Sequence, residues 1–160
     1  MSGMQDQRIV GIKLDERTVV RRSPEIEHER AVAIYDLLEG NTFIPQGDFT
    51  GPYNVFLTVE ERTRLVMEIR DPEDSPLGQV KLPLQPFRRI IRDYFQICES
   101  YFDAIKRLSP SQIETIDMAR RGMHNEGSEI LIECLKDKVE IDMDTARRLF
   151  TLLCVLHIRG

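Results

Sequence analysis

Apolar and polar positions alternate along Arg8–Leu14, with Ile12 and Leu14 on one face and Ile9 on the other, the pattern of a half-buried strand. Ser23-Pro24 then has the form of a helix cap followed by a first helical residue, with Glu25, Glu27 and Glu29 near the positive end of the helix dipole. Apolar Ala31, Ile34, Tyr35, Leu37 and Leu38 continue that helix to a stop at Gly40-Asn41. Pro45, Gly47, Gly51 and Pro52 punctuate a loop. Strand-like alternation returns at Tyr53–Val59, Leu65–Ile69 and Gly78–Leu84, joined by Glu60-Glu61-Arg62-Thr63 and by Asp71-Pro72-Glu73-Asp74-Ser75-Pro76. Short links between neighbouring strands predict an antiparallel meander, with the N-terminal strand added to it.

From Pro86 the period becomes helical. Phe87, Ile90, Ile91, Tyr94, Ile97, Cys98, Tyr101, Ala104, Ile105 and Leu108 line one face, widened by Phe95 and Phe102. Ser109-Pro110 opens the next helix, which Gly122 is expected to end; a further helix runs from Ser128 to Leu135. Val139–Ile141 reads as a linker or short strand, and Asp142 or Asp144 as the cap of a last helix, Thr145–His157. That helix is apolar on nearly every side from Leu149 to Leu156, which predicts a central position. The fold class is α+β: a small antiparallel sheet of three to four strands, an N-terminal helix and a C-terminal half of about four helices. One domain over residues 1–160 is expected, mixed over 1–84 and helical over 85–160.

Composition narrows the functional classes. The net charge of −5 opposes nucleic-acid binding, which needs a basic footprint. Residues 1–80 carry 9 basic and 15 acidic side chains and residues 81–160 carry 13 and 12, so the C-terminal half is the more cationic. Arginines outnumber lysines by 17 to 5 and form four adjacent pairs, at 21–22, 88–89, 120–121 and 147–148. Arginine suits bidentate contacts to carboxylate or phosphate, although a GC-rich genome produces the same bias. The three cysteines have no Cys-x-x-Cys spacing, the first residues show no secretory pattern, and the apolar run Leu149–Leu156 is too short for a bilayer. A cytoplasmic protein without a membrane segment is expected.

The chain resembles uncharacterised protein family 0262 of alphaproteobacteria over nearly its whole length. The resemblance rests on Glu27-His28-Glu29-Arg30-Ala31-Val32-Ala33-Ile34, Gly51-Pro52-Tyr53, Pro86-Phe87-Arg88-Arg89-Ile90, Asp93-Tyr94-Phe95, Ile97-Cys98-Glu99-Ser100-Tyr101, Arg120-Arg121-Gly122, His124-Asn125-Glu126-Gly127 and Thr145-Ala146-Arg147-Arg148-Leu149-Phe150-Thr151-Leu152. The family carries no assigned activity, so the resemblance implies neither ligand nor catalytic residue.

The densest chemistry lies at Arg120–Ser128. If Gly127-Ser128 opens a helix, its free amides attract an anion, with Arg120, Arg121, His124, Asn125 and Ser128 around it. In an enzyme acting on a phosphorylated or carboxylated metabolite, His124 would be the general acid or base and Glu126 would orient it. The structural alternative is a plain turn: Gly122 as a left-handed C-cap, Asn125 or Ser128 as the next cap, and the arginines paired with neighbouring acids. Arg88, Arg89 and Arg92 form a second cationic cluster, a surface for an acidic partner or a set of ion pairs with Asp93. Glu25-x-x-His28-Glu29 lacks the second copy of a di-iron site, and Cys154-x-x-His157 lacks the paired spacings of zinc. Cys98 or Ser100 with His124 and Asp117 lacks a nucleophile-elbow context. No metal and no cofactor is expected. The favoured role is a non-enzymatic binding or adaptor protein whose partner is another protein or a small anion.

Overall fold

The computed structural model describes residues 6–15 and 24–157. The expected Ser23 cap and the Arg21-Arg22 pair lie outside the described residues, as does the His157 side chain. The first strand, β1 (Ile9–Leu14), is followed by helix α1 (Pro24–Glu39), a short strand β2 (Phe43–Pro45), and strands β3 (Tyr53–Glu60), β4 (Arg64–Arg70) and β5 (Pro76–Pro83). A single 3-10 turn at Gln85–Phe87 leads into α2 (Arg88–Arg107), then α3 (Pro110–Leu135), β6 (Val139–Ile141) and α4 (Met143–His157).

The α+β class holds. The main sheet has the order β1-β3-β4-β5, antiparallel across β3-β4-β5 as the short links require. β1 joins parallel to β3, because the α1 crossover returns the chain to the end at which β1 began. Ile9 does not face away from Ile12 and Leu14: all three are buried. A bulge explains this, since Ile9 pairs with Tyr53 but Gly11 pairs with Asn54, and the extra residue on β1 shifts its side-chain parity. β2 pairs antiparallel with β6, clipping the segment after α1 to the segment before α4. Its three residues, ending in Pro45, are too few to show an alternating pattern.

α4 is central as expected. Ala146, Leu149, Phe150, Leu152, Leu153, Cys154, Val155 and Leu156 are all buried, and the helix packs on α1, on α3 and on β3. Burying each of the large aliphatic and aromatic side chains contributes about 1.5–3 kcal/mol. Asp142 is the residue that caps it, its Oδ1 accepting from the Thr145 N–H at 2.9 Å.

The C-terminal half departs from expectation at one point. Gly122 does not end a helix and Ser128 does not begin one; α3 is continuous through both glycines. Ser109 starts it with a capping box, in which its hydroxyl accepts from the Gln112 N–H and the Gln112 side chain accepts from the Ser109 N–H. Each interior glycine costs about 1 kcal/mol relative to alanine. Packing repays the cost at Gly127, which is buried with the Phe150 ring directly over it: a Cβ there would lie 2.2 Å from Phe150 Cζ. α3 can lie this close to α4 only because residue 127 has no side chain.

Candidate functional site

Continuity of α3 changes what residues 120–128 can be. The Gly127 and Ser128 amides belong to the interior of a helix, so the open helix end expected to attract an anion does not exist. Ser128 is fully buried and its hydroxyl donates to the His124 carbonyl at 2.8 Å. Glu126 is exposed, and two positions along a helix turn it away from His124. Neither side chain joins the other candidates. Arg120, Arg121, His124 and Asn125, spaced by three and four residues with Asp117, form one stripe along α3.

That stripe is one wall of a cavity of about 840 Å³ between α1, α3 and α4. Arg147, Arg148 and Thr151 come from α4, and His28, Glu29 and Asp36 from α1. Two of the adjacent arginine pairs, 120–121 and 147–148, therefore share one cavity. Sequence reasoning marked the second pair without placing it at the site. The signal was present in α4, where Arg147, Arg148 and Thr151 are the polar positions that flank the start of its apolar run. The partner along α3 could not be seen while α3 was divided at Gly122.

Each pair of guanidiniums divides one carboxylate. Arg120 Nη2 and Arg121 Nε bond the two oxygens of Asp117 at 2.6 and 3.1 Å. Arg147 Nη1 is 2.7 Å and Arg148 Nη1 3.8 Å from Asp144 Oδ1. Arg147 Nε also donates to Asn125 Oδ1 at 3.0 Å, and Arg148 lies 3.9 Å from Asp36. The Arg120 guanidinium additionally stacks over the Tyr101 ring at 4.7 Å. The pairing with neighbouring acids is thus real, with Asp117 and Asp144 each shared by two guanidiniums and Asp36 near Arg148 alone.

His124 sits at the floor of the cavity, with ring centroids 5.4 Å from Tyr94 and 5.2 Å from Phe150. Its Nε2 is 2.7 Å from Thr151 Oγ1, and the Thr151 hydroxyl in turn donates to the Arg147 carbonyl at 3.2 Å. This network assigns the imidazole proton to Nε2 and leaves Nδ1 as an acceptor. Burial, followed by the charges of Arg120, Arg147 and Arg148, pushes its pKa down to about 4. An unfolded histidine titrates near about 6.5, so below that pH the unfolded chain binds a proton that the folded chain refuses. Stability is therefore expected to fall as pH drops from about 6.5 towards about 4, by about 2 kcal/mol at pH 5 from this group alone. Urea unfolding at pH 7 and pH 5 checks this. His124→Gln should flatten the difference, and an equal drop in that variant would assign it to other groups.

Other candidates separate from this site. Cys98 is buried and its thiol is pushed up to about 11, chiefly by desolvation, which opposes a thiolate nucleophile. Ser100 donates to the Gln96 carbonyl one turn back. Arg88 donates to the Arg62 carbonyl at 3.2 Å, tying the start of α2 to the β3–β4 hairpin, while Arg89 and Arg92 each lie 3.7 Å from Asp93. Arg88 and Arg92 border a second cavity, of about 690 Å³, between α1, α2 and α4, which shares Glu29, Tyr94 and Thr151 with the first. Among the described residues no three His, Cys, Asp or Glu side chains cluster closely enough to hold a metal ion. No helix among them is long and apolar enough to cross a membrane.

The family profile of an uncharacterised protein family, UPF0262, matches residues 6–159. A UPF0262 protein of Paramagnetospirillum magneticum is 60% identical over 154 residues, covering 96% of this chain and 98% of the relative. One from Rhodospirillum rubrum is 60% identical over 152 residues, covering 95% and 93%. A third, from Erythrobacter litoralis, is 56% identical over 161 residues, covering 98% and 100%. No solved structure matches the chain. With a profile match across nearly its whole length and relatives at this identity, the chain belongs to uncharacterised protein family UPF0262.

Proposed function

We propose that this is a non-enzymatic binding protein of the cytoplasm, whose cavity between α1, α3 and α4 takes a small carboxylate- or phosphate-bearing molecule. The observation that carries this is the two-to-one sharing of Asp117 and Asp144 by Arg120, Arg121, Arg147 and Arg148 around one cavity. Guanidinium donors left over from such sharing suit the oxygens of an entering anion. Three free cysteines, two of them buried, fit a reducing compartment. The metabolite-enzyme reading has less support: His124 holds its proton towards Thr151, at a depressed pKa, and Glu126 is turned away from it. Exposed Arg89 and Arg92, which share Asp93, support an acidic protein partner as the second reading.

The test is thermal unfolding of the full chain against inorganic phosphate and a series of carboxylates at constant ionic strength, with Arg121→Ala and Arg148→Ala alongside. A ligand at about 100 times its dissociation constant stabilises by about 2.7 kcal/mol, which raises the midpoint by several degrees. At least one anion class is expected to do so, with affinity reduced about tenfold or more in the Arg148→Ala protein. A flat panel, or a rise that both variants preserve in full, overturns the proposal.

A further inference from the structure

Glu29 is the group in this cavity that the arginines do not account for. It projects from α1 and lines both cavities, with Arg120 and His28 the charges that act on its carboxyl. Its carboxylate makes no hydrogen bond or ion pair among the described residues. Arg120, the guanidinium whose field reaches it, is turned instead to Asp117 and stacked on Tyr101. Glu29 is half-buried, so its carboxylate is partly desolvated and keeps unused acceptor capacity, which a ligand group bringing donors and positive charge would fill.

We infer that the molecule bound in this cavity is a zwitterion: a small carboxylate or phosphate that also carries an ammonium group, with the ammonium held by Glu29 and the anion by the α4 arginines Arg147 and Arg148. This rests on the anion-site reading above and adds the second half of the ligand. Among the carboxylates that line the cavity, Asp144 is bonded to Arg147 and Asp36 lies 3.9 Å from Arg148, whereas Glu29 has no ion pair among the described residues. Burial raises the Glu29 pKa, with Arg120 and His28 opposing, as expected of a carboxylate lacking its own cation. The chemistry excludes neither source of the anion, so both are probed.

The experiment is calorimetric titration of the full chain with matched pairs: glycine against acetate, γ-aminobutyrate against butyrate, and phosphoethanolamine against ethyl phosphate, with butylamine as the amine alone. In at least one pair the amine-bearing member is expected to bind about tenfold or more tightly than its partner, since a charged hydrogen bond is gained. Glu29→Gln should erase that difference while leaving the simple anion bound. If simple anions bind as tightly as their amine-bearing partners, the zwitterion is wrong and the anion site stands. If butylamine binds as well as γ-aminobutyrate, or nothing binds, both fall. The wild-type pairs decide the matter even should Glu29→Gln fail to fold.

Discussion

Gly127→Val is expected to cost the protein about 3 kcal/mol or more, while Gly122→Ala, earlier in the same helix, is expected to stabilise it by about 1 kcal/mol. Both glycines sit in the interior of α3, where propensity alone favours replacement. They differ in what stands opposite. A Cβ at Gly122 meets nothing within 4 Å, so alanine there restricts the unfolded chain and strains nothing. A Cβ at Gly127 lies 2.2–2.6 Å from three carbons of the Phe150 ring. That ring has no exposure and is held edge-on by Tyr94 and His124, so it cannot swing aside. Valine adds two methyl groups to the same clash, and the helices must separate to admit them. Urea midpoints at constant slope give both values. Similar effects from the two substitutions would mean that α3 and α4 are not in close contact at Gly127.

The same two glycines show where the sequence misleads. Read locally, Gly122 and Gly127 around a polar stretch resemble a helix–helix turn, and only the tertiary contact with Phe150 explains the second one. Dividing α3 there hid the spacing that places Arg120, Arg121, His124 and Asn125 on one stripe. Elements with a long clean period were legible without help: α2 from its apolar face, α4 from its apolar run Leu149–Leu156, the start of α3 from Ser109-Pro110. The β3–β4 link was found by length alone, because Glu61 and Arg62 take left-handed backbone angles, φ 54° and 63°, without the glycine or asparagine that usually marks them. The β1 bulge and the convergence of two arginine pairs depend on pairing between distant segments, which no local period records.

Asn41 illustrates the gap between a correct boundary and the physics behind it. It was expected only as the stop after α1, and α1 does end beside it. Its side chain has a larger role. Oδ1 accepts from the Ile9 N–H at 2.7 Å, and Nδ2 donates to the Ile9 carbonyl at 2.9 Å and to the Leu37 carbonyl at 2.8 Å. One amide thus imitates a neighbouring strand for the open edge of β1 and satisfies a terminal carbonyl of α1. The adjoining backbone continues the edge, with the Phe43 N–H donating to the Gln7 carbonyl at 3.0 Å. Asn41→Ala removes three hydrogen bonds at once and leaves the backbone of fully buried Ile9 unpaired on this side. A loss of about 3 kcal/mol is expected, since each buried polar group left unsatisfied costs about 1–3 kcal/mol and water can reach part of the site. Asn41→Asp separates hydrogen bonding from shape: it keeps the acceptor for the Ile9 N–H but sets a carboxylate against two carbonyl oxygens. It should be destabilised at neutral pH and recover part of the loss below about pH 4, where a protonated carboxyl can donate. Urea unfolding across pH, with hydrogen exchange at the Ile9 amide, measures both effects. A fast-exchanging Ile9 amide in Asn41→Ala at unchanged global stability would show that β1 frays locally and that Asn41 does not bind the sheet to α1.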